Sequence, residues 1–189
     1  MEPSSEPVED WALEATRINW KLLIGGIACA GLSLMATSRA SAPAPFAAPV
    51  NYCIAKTSSQ GCVPSMGWTG LPKLSTGPGS FDVHVSGHEL TTPHGLFFYG
   101  LGPTGLPWLG GFLCAAPPLT RVLPDDTDPG TGSCSATETL DFWAIMDSGI
   151  HGLDQIGQEA YVQYYYRDTD HPDGTGVGLS DALSIIVSP

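Results

Sequence analysis

The stretch EAYVQYYYRD, from Glu159 to Asp168, is the most strand-like run in the chain and decides the class of fold. Valine and tyrosine favour extended backbone, because their side chains pack well on a pleated surface. Successive side chains of a strand point to opposite faces, so the tyrosines divide between the two faces of a sheet. One face then looks outward as a candidate ligand face, unless its rings only cover a neighbouring strand. The sequence does not say which face this is, so the candidates are all four tyrosines, Tyr161, Tyr164, Tyr165 and Tyr166.

Shorter runs of the same kind recur after residue 50 and are separated by loop-forming residues. FDVHVSG, residues 81–87, alternates apolar and polar side chains, and the closing run places Leu183, Ile185 and Val187 on one face of a strand. The sequence contains 23 Gly and 17 Pro, which are typical of tight turns between short strands. No long helical periodicity follows residue 50. Residues 51–189 are therefore predicted to form an all-β domain, either an antiparallel β-sandwich or a jelly-roll-like fold.

The chain is strongly acidic, with a formal net charge of −12 and only seven Lys and Arg among its 189 residues. Nucleic-acid binding requires clustered cations that displace counterions from the phosphates. The sequence contains no such cluster. The composition therefore excludes nucleic acid as a partner and indicates a surface that repels other anionic surfaces.

Three segments precede the predicted β domain. Residues 1–21 form an acidic leader, residues 22–38 are apolar, and residues 39–50 form a linker rich in Pro and Ala. The apolar segment is predicted to be a single hydrophobic helix with two alternative roles. It fits the apolar region of a secretory signal peptide, and it is also nearly long enough for a transmembrane anchor. In both cases residues 51–189 lie outside the cytoplasm, either secreted or tethered to a membrane.

Four cysteines in the predicted exported part indicate disulfide bonds, and they are Cys53, Cys62, Cys114 and Cys134. An even number of cysteines in an oxidising compartment is typical of a disulfide framework. The sequence has neither the closely spaced cysteine pairs of a zinc site nor a C-x-x-C redox motif. Of the alternative connectivities, the simplest pairs neighbours in sequence, Cys53 with Cys62 and Cys114 with Cys134.

The loop DTDHPDGTG, residues 168–176, superficially resembles a calcium-binding loop. Calcium takes several oxygen ligands, and closely spaced Asp and Gly residues let a loop wrap around the ion. The candidate ligands are Asp168, Asp170 and Asp173, although their spacing departs from that of an EF-hand and the bidentate Glu is missing. A solvated turn explains the same residues. The sequence therefore predicts no metal and no cofactor, with calcium as the weaker alternative.

Catalytic motifs are not recognisable in the sequence. No G-x-S-x-G nucleophile elbow occurs. Disulfide formation would remove the free thiol that cysteine catalysis needs. Three histidines lie near one another in sequence, but an extended strand separates them too widely for one metal ion unless a bulge forms at Gly87. These histidines are His84, His88 and His94.

Five short segments occur in a distinctive order, YCIAKTSSQGC, GLFFYG, GGFLCAAPPLTR, YVQYYYRD and GLSDALSIIVSP. In that order they resemble a group of uncharacterised secreted proteins of environmental bacteria. The group is similar in its YC…K…S…GC opening, its GLxxYG strand, its GGxLC segment and its RD…GLSDAL ending. The resemblance covers residues 52–189. It implies an exported β domain held by disulfide bonds, and it implies no activity.

The predicted function is that of a non-catalytic extracytoplasmic β-sandwich domain. Such a domain serves as a structural part of the cell envelope or as an interaction module, with a protein or glycan partner that the sequence leaves open. The first alternative is a carbohydrate-binding module that uses the tyrosine face, because exposed aromatic rings stack on ligands while a polar group binds beside them. The second alternative is a small secreted hydrolase.

Overall fold

The computed structural model describes residues 47–89 and 95–189 of the chain. The predicted hydrophobic helix at residues 22–38, its leader and most of its linker lie outside the described residues. Where the structure is described, no helix has the length and apolarity that crossing a membrane requires. The described elements are β1 (Val50–Tyr52), β2 (Ser65–Gly70), β3 (Phe81–His88), β4 (Leu96–Gly100), β5 (Pro103–Trp108), β6 (Gly111–Ala115), β7 (Thr120–Val122), β8 (Asp126–Asp128), β9 (Ala136–Asp141), helix α1 (Phe142–Asp147), a 3₁₀ turn (Ile150–Gly152), β10 (Glu159–Arg167) and β11 (Val177–Ile186).

The strands form two main sheets and one separate hairpin. The larger sheet has five strands in the order β1-β11-β10-β4-β7, and the smaller has four in the order β2-β3-β9-β8. Strands β5 and β6 pair only with each other. Every one of these strand pairs is antiparallel. The prediction of an all-β fold with antiparallel sheets is confirmed for the described part of the chain.

The two main sheets enclose one hydrophobic core, as in a β-sandwich. The smaller sheet contributes Phe81, Val83 and Val85, which alternate along β3 as predicted. Strand β10 contributes its even-numbered residues, among them Tyr164 and Tyr166, and both tyrosines are 0% exposed. The predicted ligand face was therefore wrong for these two residues. Alternation along β10 turns them toward the core, where the second sheet covers them.

The opposite face of β10 is covered by the β5–β6 hairpin. Here a second, smaller core contains Phe98, Leu113, Ala115 and Tyr161. Tyr161 is only 8% exposed, so its ring packs beneath a neighbouring strand instead of facing solvent. Among the four predicted tyrosines, three are buried and Tyr165 is half-buried. Tyr161 therefore follows the alternative expectation, in which an outward ring only covers a neighbouring strand.

The cysteines form two disulfide bonds that cross in sequence. Cys53 pairs with Cys114, and Cys62 pairs with Cys134. The connectivity that the sequence left open is therefore not the simplest one, between sequence neighbours, although all four predicted cysteines are bonded. The reason is tertiary, because the β5–β6 hairpin lies over the larger sheet and brings Cys114 beside the end of β1. Two disulfide bonds within the chain are consistent with a location outside the cytoplasm.

A histidine lies inside the core of the sandwich. His88 is 1% exposed, and its ring centroid lies 5.2 Å from that of Tyr164 and 5.6 Å from that of Tyr166. The backbone does bulge at Gly87, with φ at 73°, but His88 beyond it is a core residue. Burial lowers the pKa of His88, although its hydrogen bond to the Glu89 carbonyl and the nearby Glu138 carboxylate oppose the shift.

This buried histidine makes stability depend on pH. Because the folded-state pKa is lowered, the unfolded chain takes up the proton first as the pH falls below about 6.5. The free energy of unfolding is then expected to fall as the pH drops from about 6.5 to the lowered pKa of His88 in the folded state. In His88→Phe the fall in the free energy of unfolding from pH 7 to pH 5 should be smaller, as measured by denaturant titration. The exposed His151, replaced by Asn, serves as the control and should leave that fall unchanged.

Candidate functional site

A groove of about 250 Å³ lies on the outer face of the larger sheet, beside the β5–β6 hairpin. We call it the aromatic groove. Strands β4 and β10 supply the sheet residues, the hairpin supplies one wall, and β7 with the residue before it supplies the other. The lining residues are Leu96, Phe98, Trp108, Leu109, Leu119, Arg121 and Tyr165. Since most of these side chains are apolar or aromatic, the groove has the character of a small-molecule binding site.

Three aromatic rings define the shape of the aromatic groove. The Trp108 ring meets Phe98 edge to face, with centroids 6.2 Å apart and planes at 82°. Trp108 and Tyr165 lie 6.1 Å apart with their planes inclined at 40°. The edge-to-face contact is a favoured arrangement of aromatic pairs. It supports Trp108 from the sheet side, while the Trp108 and Tyr165 side chains both remain partly exposed.

The wall formed by the hairpin depends on a tight turn at its tip. Trp108 pairs with Gly111, so Leu109 and Gly110 are the two turn residues. Both have positive φ, 48° for Leu109 and 74° for Gly110, as in the turns that suit two-residue hairpins. A side chain at Gly110 would also meet the Asp173 carboxylate, because a Cβ there would lie 1.9 Å from Oδ2. Leu109 occupies a backbone region that is strained for a non-glycine residue and needs support from its surroundings.

That support comes from Lys56, a lysine whose side chain is only 4% exposed. Its ammonium group donates to the carbonyl of Leu109 at 2.9 Å and to Oγ1 of Thr175 at 2.7 Å. It also forms an ion pair with Asp173 at 2.7 Å. The hydrogen bond from Lys56 lowers the pKa of Asp173 below its usual range. One buried cation therefore joins the tip of the hairpin to the loop between β10 and β11.

The base of the hairpin is attached through Gln163 on the outer face of β10. Its amide oxygen accepts from the N–H of Cys114 at 2.9 Å, and its amide nitrogen donates to the carbonyl of Phe112 at 3.0 Å. The same nitrogen donates to the carbonyl of Ser180 at 2.9 Å. The side chain thus acts as a strand partner for β6. The Cys53–Cys114 disulfide and a hydrogen bond from the Tyr52 hydroxyl to the Cys114 carbonyl attach the same strand.

Replacing Gln163 by methionine is expected to weaken this attachment. The side chain keeps its length, but three backbone groups, two of them buried, lose this hydrogen-bond partner, and we expect a loss of about 2 kcal/mol in the free energy of unfolding. Amide hydrogen exchange at Cys114 should accelerate together with the loss. Gln155→Met, at an exposed position, is the matched control and should change stability by less than about 0.5 kcal/mol. Unchanged exchange at Cys114 would contradict the role given to Gln163.

Arg121 supplies the positive charge of the aromatic groove. It lies on β7 opposite Phe98 and is exposed. Over residues 47–89 and 95–189, no carboxylate forms an ion pair with it. The lining contains neither Asp nor Glu. A guanidinium group at the rim of an otherwise apolar groove can bind an anion or a hydrogen-bond acceptor.

The sequence-predicted tyrosines contribute one residue, Tyr165, to the aromatic groove. Sequence reasoning missed Trp108, Phe98 and Arg121, which lie on three other strands. Only Trp108 carried a local signal, since it directly precedes the Leu-Gly turn of a hairpin rich in Gly and Pro. In the sequence, Phe98 and Arg121 look like ordinary strand residues. They reach the aromatic groove because β4 and β7 pair and place them opposite each other.

The candidate calcium ligands do not converge on a common point. Asp168 is 4% exposed and accepts from the N–H of Ser59 at 2.8 Å, whereas Asp173 pairs with Lys56. Asp170 is exposed. Among the residues that the structure describes, no three His, Cys, Asp or Glu side chains are grouped so as to hold a metal ion. The Asp-rich loop is instead engaged in contacts with the segment after β1.

Comparison with known proteins gives no relative with which the aromatic groove can be matched. Protein-family models, curated proteins and solved structures were each searched, and none matches this chain.

Proposed function

We propose that residues 51–189 form a non-catalytic extracytoplasmic binding module, secreted or tethered through residues 22–38. The observation that supports this proposal best is the aromatic groove, with Trp108 and Tyr165 inclined toward each other above the larger sheet. Concave, mostly apolar sites with a few polar groups are typical of small-molecule binding.

The chemistry of the lining favours binding over reaction. Leucine and aromatic side chains supply contact area, and Arg121 supplies a guanidinium group that can donate to an anion or a polar group. A hydrolase instead needs a nucleophile or a water-activating base within hydrogen-bond reach of a second ionisable group. No lining side chain has that character, so the hydrolase alternative gains no support from the groove.

The attachment of the hairpin also favours a binding role. Lys56 holds its tip, and Gln163 and the Cys53–Cys114 disulfide hold its base. A wall held in place before the ligand arrives loses little conformational entropy on binding, which increases affinity for a given contact area. The volume of about 250 Å³ lies just below the range of pockets for drug-sized molecules, so the ligand is small.

The test is a titration of the full-length oxidised chain, followed by NMR at the indole N–H of Trp108. That resonance is identified by its loss in Trp108→Phe. The probes are 4-phenylbutanol and methyl β-glucoside, which represent an apolar and a sugar ligand. Saturable shifts of the Trp108 signal with at least one probe are expected. Shifts confined to other tryptophans, or none at all with either probe or with the carboxylate probe introduced below, would overturn the proposal.

A carbohydrate-binding module is the second candidate, and one observation favours it. Trp108 and Tyr165 present partly exposed rings of the kind that stack on sugars, with Arg121 nearby as a hydrogen-bond donor. The site then differs from the tyrosine face expected from the sequence, because it uses one tyrosine and one tryptophan.

A further inference from the structure

We propose that the ligand of the aromatic groove is a small apolar carboxylate, with its apolar body against Trp108 and Tyr165 and its carboxylate on Arg121. This inference rests on the proposed binding function and specifies the class of ligand. It follows from the apolar character of the lining, from the lack of an ion-pair partner for Arg121 among the described residues, and from the charges around the groove.

The apolar character of the lining decides the body of the ligand. Three leucines line the groove together with Phe98, Trp108 and Tyr165, and they are Leu96, Leu109 and Leu119. A sugar placed there would turn several hydroxyl groups toward the three leucines and Phe98, whose side chains form no hydrogen bonds. Burying an unpaired hydroxyl is unfavourable, whereas burying an aromatic or aliphatic body is favourable. The groove therefore fits an apolar body better than a sugar ring.

Arg121 indicates which charged group the ligand carries. Four Lys and Arg residues lie in the described part of the chain, and one of them, Lys56, already forms an ion pair with Asp173. Arg121 stands at the aromatic groove with no ion-pair partner among the described residues, in a chain whose formal net charge is −12. With so many carboxylates in the chain, an unpaired arginine at a groove points to an external anion. Its planar fork matches the two oxygens of a carboxylate.

The distribution of charge around the aromatic groove supports the same conclusion. Arg167 lies on the groove side of β10, two residues after Tyr165, because alternate residues share a face. The acidic strand β8, with Asp126 and Asp128, is an edge strand of the other sheet. Asp173, which approaches the hairpin tip, is paired with Lys56. The lining of the groove therefore carries the positive charge of Arg121 and no carboxylate, on a molecule that is negative overall.

The experiment compares two matched probes on the full-length oxidised chain. 4-Phenylbutyrate carries a carboxylate, and 4-phenylbutyramide has the same body without the charge. Dissociation constants are taken from the shift of the Trp108 indole N–H. The carboxylate is expected to bind about fivefold more tightly than the amide, a discounted value because Arg121 is exposed. In Arg121→Gln this preference should disappear while the amide binds as before.

Lys73→Gln is the control, since it changes the net charge equally at a position outside the aromatic groove. It should keep the preference for the carboxylate. Equal binding of the two probes to the unaltered chain, or an unchanged preference in Arg121→Gln, would overturn the assignment of the anion to Arg121 and leave the binding function standing. Shifts with methyl β-glucoside but with neither phenyl probe would identify a sugar site and also overturn this inference. Absence of any shift at Trp108 with every probe would overturn the binding function itself.

Discussion

Replacing Cys62 and Cys134 together by alanine is expected to lower the free energy of unfolding by about 4 kcal/mol. The two cysteines are 72 residues apart, so their bond restricts a long loop of the unfolded chain. The entropic cost of closing a loop grows with the logarithm of its length, and this bond is therefore expected to stabilise more than a pairing of sequence neighbours would. Denaturant titration of the oxidised protein measures the loss.

The control for this prediction is the same pair of proteins under reducing conditions. If the disulfide is the cause, the reduced wild type and the reduced variant should unfold at nearly the same denaturant concentration. A difference that survived reduction would assign the loss to side-chain packing of Cys62, which is 1% exposed, and would contradict the prediction.

Peptide mapping distinguishes the crossed pairing from the pairing of sequence neighbours. Lys56, Lys73 and Arg121 separate the four cysteines, so trypsin places each cysteine on a different peptide. Without reduction, the crossed pairing links residues 40–56 to residues 74–121 and residues 57–73 to residues 122–167. A link between residues 40–56 and residues 57–73 would show that Cys53 pairs with Cys62 instead.

Replacing Lys56 by methionine is expected to lower the free energy of unfolding by about 3 kcal/mol, because two hydrogen bonds from a charged donor, to the Leu109 carbonyl and to Thr175, are lost. The ammonium group is buried and holds three partners, the Leu109 carbonyl, Thr175 and Asp173. Methionine fills a similar space but leaves these groups without their donor. The strained turn at Leu109 then loses its support, so amide exchange should increase at Gly110 and Gly111 more than in the sandwich core.

The stability of Lys56→Met should also depend on acid pH differently from that of the wild type. Lys56 lowers the pKa of Asp173, so the ion pair stabilises the folded state above the ordinary Asp pKa of about 3.9. This contribution is lost as the pH falls from there through the lower folded-state pKa. The free energy of unfolding of Lys56→Met should therefore fall less steeply below pH 4 than that of the wild type. Arg167→Met, which removes an exposed cation, is the control, and an equal loss of stability in it would contradict the role of the buried pair.

The class of fold could be predicted from the sequence because strand formation is read from neighbouring residues. The alternation of Phe81, Val83 and Val85 and the tyrosine-rich run of β10 both indicated strands, and the structure places strands there. The candidate site was reached only through Tyr165. Its other main residues, Trp108 and Arg121, lie 57 and 44 residues before Tyr165 in sequence, and no local pattern connects them.

The sequence by itself determined an all-β chain with four cysteines in disulfide bonds, because residue alternation, turn residues and cysteine number are local or compositional properties. Only the tertiary structure decided which cysteines pair, which tyrosines are buried and where a groove forms. The Cys53–Cys114 bond, the burial of Tyr161 and the aromatic groove depend on one long-range event, the packing of the β5–β6 hairpin on the outer face of β10, whereas the second sheet covers Tyr164 and Tyr166. That packing is set by contacts of Lys56, Gln163 and Cys53 with residues about 50 to 60 positions away, and pairings at such separations leave no periodic signal in the sequence.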